Sequence, residues 1–239
     1  VGGIGGIGRL KASALEQTNV FREVFMIKAK RMPLVPVAVE QEPQAQPWHT
    51  WLAAGVSNVG SPPVVTSLGI WLAAAHLATS GAWYWALREW AFLVAIPAAY
   101  VAGAVLRGRI SDLDVCIREQ RTGPYLLAML CAGLAFAWSW LDGTPQTLTL
   151  FAGAAMAQLI LLYLVTMRWK ISLHSAAMAS CGVAALAFTG VMGLPLLAGV
   201  PLVAWARVHM RRHTLAQTVA GAIAGGLIYT TALFVIHLG

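Results

Sequence analysis

The chain has 239 residues, of which 59% are hydrophobic and 10% charged, with a formal net charge of +7. A water-soluble domain carries roughly 25% charged residues, so a soluble enzyme or binding module is excluded and an integral membrane protein is expected. The basic excess does not point to nucleic acid: the cations flank apolar runs and form no solvated face with interleaved aromatics, an arrangement suited to phosphate headgroups and an anionic ligand.

Residues 1–60 differ from the rest. They hold Arg9, Lys11, Arg22, Lys28, Lys30 and Arg31, followed by a Pro/Gln-containing stretch from Pro33 to Pro47. No apolar h-region follows the early basic residues, so no signal peptide is expected. Ala12 to Ala29, with Val20, Phe21, Val24, Phe25 and Ile27, reads either as an amphipathic helix on the membrane surface or as a partly ordered tail.

Uncharged runs dominate from residue 61 onward, over 62–87, 90–106, 122–141, 143–167, 171–206 and 214–239. About 20 helical residues cross a bilayer core. The 171–206 run would reach about 54 Å as one helix at roughly 1.5 Å per residue, and Gly190, Gly193 and Pro195 supply a break. The expectation is an all-α polytopic membrane bundle of about six to seven transmembrane helices over residues 61–239. Runs of glycine and alanine, as in Gly221 to Gly226, predict close helix contact. Cys116, Cys131 and Cys181 show neither metal spacing nor a disulfide framework, and no cofactor is implied.

Three polar islands interrupt the runs: Arg107 to Arg121, Lys170 to His174, and Arg207 to Gln217. They follow two, four and six crossings, which places all three on one membrane face together with the basic N-terminal segment. By the positive-inside rule that face and the N-terminus are cytoplasmic. Arg88, beside Glu89, is the main cation of the opposite face.

In the third island, His213 and Gln217 are four residues apart and share one helix face. Gln217 can accept the Nδ1–H of His213 and leave Nε2 free to attack. The helix N-terminus and Arg207 favour a phosphate beside it. The second island offers Lys170, Ser172 and His174. The first offers Arg118 and Arg121, three apart and able to face one point on a helix.

This pattern resembles the membrane-bound type-2 phosphatidic acid phosphatase superfamily, which includes isoprenoid-diphosphate phosphatases and carries K-x6-R-P, P-S-G-H and S-R-x5-H-x3-D. The third motif stands here as Ala206-Arg207-x5-His213-x3-Gln217, and the second as Ile171-Ser172-Leu173-His174. In the first, Arg121 takes the arginine place, Asp114 the lysine place and Thr122 the proline place. The resemblance covers roughly residues 62–239. It implies a metal-independent hydrolase of a lipid phosphate or isoprenoid diphosphate. His213 would be the nucleophile that becomes phosphohistidine, with Gln217 orienting it, and His174 would be the acid and base. Arg121, Ser172 and Arg207 would hold phosphate oxygens, with Arg118 and Lys170 as further phosphate-binding candidates. The implied partner is a membrane lipid substrate. The alternative, motivated by Gln217 and Asp114, is a catalytically weakened phosphatase-fold subunit that binds lipid or a larger membrane complex. Self-association is compatible with either.

Overall fold

A computed structural model describes residues 48–238 of the chain. The segment Ala12–Ala29 and the stretch from Pro33 to Pro47 lie outside the described residues. Among the described residues every regular element is helical. In chain order these are α1 (Trp48–Val59), α2 (Pro62–Leu77), α3 (Ala82–Trp90), a π-turn (Ala91–Ala95) leading into α4 (Ile96–Leu106), a 3-10 turn (Arg118–Arg121), α5 (Thr122–Leu141), α6 (Gln146–Thr166), α7 (Leu173–Thr189), a second 3-10 turn (Gly190–Gly193), α8 (Leu194–His209) and α9 (Leu215–Leu238). The described residues belong to one compact unit, so α1 is part of it although it precedes the compositional change near residue 60.

Five helical stretches are long and apolar enough to cross a membrane: Ala82–Leu106, Arg118–Leu141, Gln146–Thr166, Leu173–His209 and Leu215–Val235. The shorter α2 is also apolar. The chain is therefore a multi-pass helical membrane protein. Large side chains such as Leu130, Leu164, Leu202 and Leu227 point outward, whereas the interior is rich in small residues such as Ala132, Ala152, Ala176 and Ala184. That distribution suits a solvent of lipid, in which small residues let helix backbones approach.

The long run 171–206 does break at Gly190–Gly193. Gly190 takes φ +60, a left-handed conformation that costs glycine nothing. The chain then folds back, and a Cβ on Gly193 would lie 2.4 Å from the backbone of Ala185. α7 and α8 are thus an antiparallel hairpin. α9 packs on α7 just as closely: a Cβ on Gly221 would meet Ser172 O at 2.3 Å, and one on Gly225 would meet Ala176 O at 2.2 Å. These glycines hold the helix after His213 against the helix that carries His174.

One expected boundary is corrected. The first two runs do not part at Arg88–Glu89 but at residues 78–81, where Ala78 adopts φ +50. Arg88 and Glu89 lie inside a helical stretch and are buried. They are tolerated there because they are paired. Arg88 donates to Asp142, to Ser139 Oγ (2.6 Å) and to Thr144 Oγ1 (2.7 Å), and Ser139 donates to Glu89.

Candidate active site

At the other end of the bundle from Arg88, three loops converge. Arg121 Nη1 donates to Ile171 O (3.3 Å), and Lys170 Nζ donates to Arg212 O (2.8 Å). Arg207 Nη1 donates to Asp114 Oδ2 (2.6 Å). Each bond joins two different islands, so the islands that the crossing parity placed on one face meet in space.

Arg207 is the hub. At the C-terminal end of α8 and 1% exposed, it also donates from Nη1 to Ser57 Oγ of α1 at 2.9 Å. His174 Nε2 lies 3.4 Å from the same nitrogen and 3.6 Å from Asp114 Oδ1. The buried Nε of Arg207 has no hydrogen-bond partner among the described residues. A buried guanidinium donor left unpaired is costly, and Arg88 Nε at the opposite end is left the same way. Arg121 is fixed through Nε to Val115 O at 2.8 Å. Val115 is a β-branched residue at φ +47, a strained backbone at the floor of the site.

His213 precedes α9, and its Nδ1 lies 3.1 Å from Gln217 Oε1. A glutamine oxygen can only accept, so Nδ1 carries the proton and Nε2 keeps its lone pair. The same oxygen accepts Thr214 N–H at 3.1 Å, while Gln217 N–H donates to Thr214 Oγ1 at 3.3 Å. This reciprocal pair is a capping box at the start of α9. Gln217 thus closes the helix end and orients the imidazole at once. Burial, followed by the charges of Arg121, Arg207 and Lys170, pushes His213 down to about 3, so the ring is neutral at neutral pH. Burial pushes Lys170 below its ordinary value as well, helped by Arg121. Burial would raise Asp114, but the hydrogen bond and charge of Arg207 outweigh it and hold the carboxyl below its ordinary value.

The remaining candidates are placed differently. Ser172 is fully buried as the N-cap of α7, where it accepts from Ser175 N at 3.3 Å. Arg118 is exposed, pairs with Glu119 and donates to Arg168 O. The structure therefore brings together Arg121, His174, Arg207 and His213 with Gln217, keeps Lys170 at the rim, gives Ser172 to a helix cap and leaves Arg118 outside. The sequence reading passed over Ser57, whose role has no local signal, and treated Asp114 only as a missing lysine. Thr214 could have been found from its T-x-x-Q spacing to Gln217.

Asp114, Arg121, His174 and His213 form the polar end of a cavity of about 540 Å³ that continues into the bundle between apolar walls, down to Phe151 and Tyr229. Ligand sites occupy roughly 300–1,000 Å³ and are mostly apolar with a few placed polar groups. The architecture suits an amphiphile with an anionic head. Among the described residues no group of three or more His, Cys, Asp or Glu could hold a metal ion. The chain matches no known protein family, no curated protein and no solved structure.

Proposed function

We propose that the protein is an integral membrane phosphatase that hydrolyses a lipid phosphate or isoprenoid diphosphate through a phosphohistidine on His213. The observation that carries this reading is a neutral imidazole, with Nδ1 held by Gln217, beside Arg121 and a second histidine at the polar end of an apolar cavity, where the buried Arg207 is paired with the cavity-lining Asp114. In this scheme the His213 Nε2 lone pair forms a bond to phosphorus as the bond to the leaving oxygen breaks. His174 gives that oxygen a proton. A water molecule then attacks the phosphohistidine, His174 takes one of its protons, and inorganic phosphate leaves with the His213 ring neutral again. Arg121 and Arg207 stabilise charge spread over the equatorial oxygens, the main means of catalysis in phosphoryl transfer.

Asp114 sets the resting state. Its carboxylate holds the Arg207 N–H that a phosphate oxygen would take, so binding requires it to yield that donor. It also faces His174 Nε2 at 3.6 Å and stabilises the imidazolium that donates the proton. We place this face and the N-terminus on the cytoplasmic side, on the strength of their basic residues.

A second reading, a subunit that binds lipid without turnover, is favoured by the same Asp114–Arg207 pair, which neutralises one arginine at the site. The test separating them is phosphate release by purified protein in EDTA from phosphatidic acid, phosphatidylglycerol phosphate, farnesyl diphosphate and a long polyprenyl diphosphate. Release that disappears in His213→Ala supports the enzyme. No release from folded protein leaves the binding subunit.

A further inference from the structure

Below its polar end, the cavity wall carries a buried polar pair that the proposed chemistry does not use. Gln158 of α6 and Ser180 of α7 both line the cavity and are 6% and 5% exposed. Ser180 Oγ lies 2.6 Å from Gln158 Oε1 and 3.0 Å from Ala176 O. The hydroxyl has one proton, and the shorter contact to Gln158 takes it. The glutamine amide nitrogen then has two N–H groups and no hydrogen bond among the described residues. Its neighbours along the wall are apolar: Phe151, Ala155 and Leu159 from α6, and Ala177 and Cys181 from α7.

Two explanations compete for such a pair. Polar side chains between membrane helices often serve only to join them, and the Ser180–Gln158 bond does join α6 to α7. A serine opposite a threonine or a second serine would achieve that without leaving a donor over. A primary amide with its nitrogen unpaired in an apolar enclosure is costly unless something in the cavity accepts from it.

Depth fixes what that acceptor is. Ser180 lies six residues after His174 on α7, about 9 Å deeper along the helix at roughly 1.5 Å per residue. A phosphate held at His174 and His213 would place the first several atoms of its tail across that distance.

We infer that Gln158, supported by Ser180, is a specificity-determining residue that hydrogen-bonds an oxygen in the tail of a lipid phosphate, such as the ester carbonyl of a monoacylglycerol phosphate. The inference rests on the phosphatase reading for the position of the head, and it selects oxygenated tails over the all-hydrocarbon tails of isoprenoid or alkyl phosphates.

The test compares a monoacylglycerol phosphate with an alkyl phosphate of equal chain length, in the full-length protein and in Gln158→Leu. The wild type is expected to favour the oxygenated substrate in kcat/KM on the order of tenfold, the worth of one buried hydrogen bond. Gln158→Leu is expected to abolish that preference. Gln158→Met, unbranched and of similar volume, serves as the second variant should leucine disturb packing, and is expected to act alike. A parallel arm measures binding of the phosphate-free monoacylglycerol and alkyl alcohol to the His213→Ala protein. A tail preference in binding that Gln158→Leu or Gln158→Met removes, without turnover by the wild type, leaves the tail site standing and sinks the phosphatase reading. Equal treatment of the two tails by the wild type, or a preference unchanged in the variants, overturns the inference.

Discussion

The two ends of the bundle each hold a buried polar cluster, and they are built to opposite ends. Around Arg88, guanidinium N–H groups are taken by Asp142, Ser139 and Thr144, the arginine lies 5.2 Å from the Trp138 ring centroid, and Ser139 joins it to Glu89. That cluster ties α3 to the turn between α5 and α6, with Arg88 Nε and Glu89 Oε2 left without a hydrogen-bond partner among the described residues. Around Arg207, Nε is likewise unpaired among the described residues, but here four polar residues, Asp114, Arg121, His174 and His213, border a cavity. Buried charge in a membrane protein commonly marks a functional site. The comparison shows that the useful criterion is narrower, namely whether the buried polar groups line a cavity that continues into the bundle and can admit a ligand.

The sharpest way to break that comparison is to remove the proposed nucleophile. His213→Ala is expected to lower phosphate release by about 10⁵-fold, the scale of losing a nucleophile in a preorganised site, with no loss of folded protein. Phosphate-release kinetics beside a thermal melt check it. At the Arg88 end the prediction is reversed. Arg88→Ala leaves Glu89 buried without its cation and is expected to cost about 3–5 kcal/mol of stability, as breaking a buried pair does. The remaining folded molecules should keep their kcat, which denaturation followed by activity normalised to folded protein will show.

The pH dependence sharpens the contrast. His213 is pushed down to about 3 in the folded protein, against about 6.5 for a free imidazole. Below pH 6.5 the unfolded chain binds a proton that the folded site refuses, so this group's contribution is present above 6.5 and lost as pH falls towards 3. Asp114, also held down, acts in the same direction at lower pH. Melting temperatures taken from pH 7 to pH 4 are expected to fall less steeply in His213→Gln than in the wild type. The smallest effect is expected at Arg118, which pairs with Glu119 outside the cluster. Arg118→Gln should change kcat/KM by no more than about twofold, as a screened surface charge would, while Arg121→Gln should cost about 10²-fold or more, as loss of an oxyanion donor does.

Much of this architecture was legible in the sequence because membrane spans impose length. The apolar runs, the break at Gly190–Gly193 and the parity of the islands follow from the bilayer's thickness. The turn at residues 78–81 was hidden because it carries no charge, while Arg88–Glu89 looked like a loop because a lone sequence does not reveal Asp142, Ser139 and Thr144 as its partners. Within the site, His213 and Gln217 were readable from their four-residue spacing. Arg118 and Arg121 had equally suggestive spacing, yet the 3-10 turn buries only the second. Ser57 reaches Arg207 from a helix remote in sequence, and local spacing cannot report such contacts. Gln158 and Ser180 sit in different apolar runs and become a pair only when α6 and α7 meet.

The most direct measurement is to look for the covalent intermediate. His174→Ala protein, which lacks the group proposed to activate water, would be incubated with a substrate that the wild type turns over, quenched in alkali and mapped by mass spectrometry. The account predicts phosphate on His213 and none in a His174→Ala, His213→Ala double variant. Turnover by the wild type with phosphate on another residue, or on none under single-turnover conditions, would contradict it.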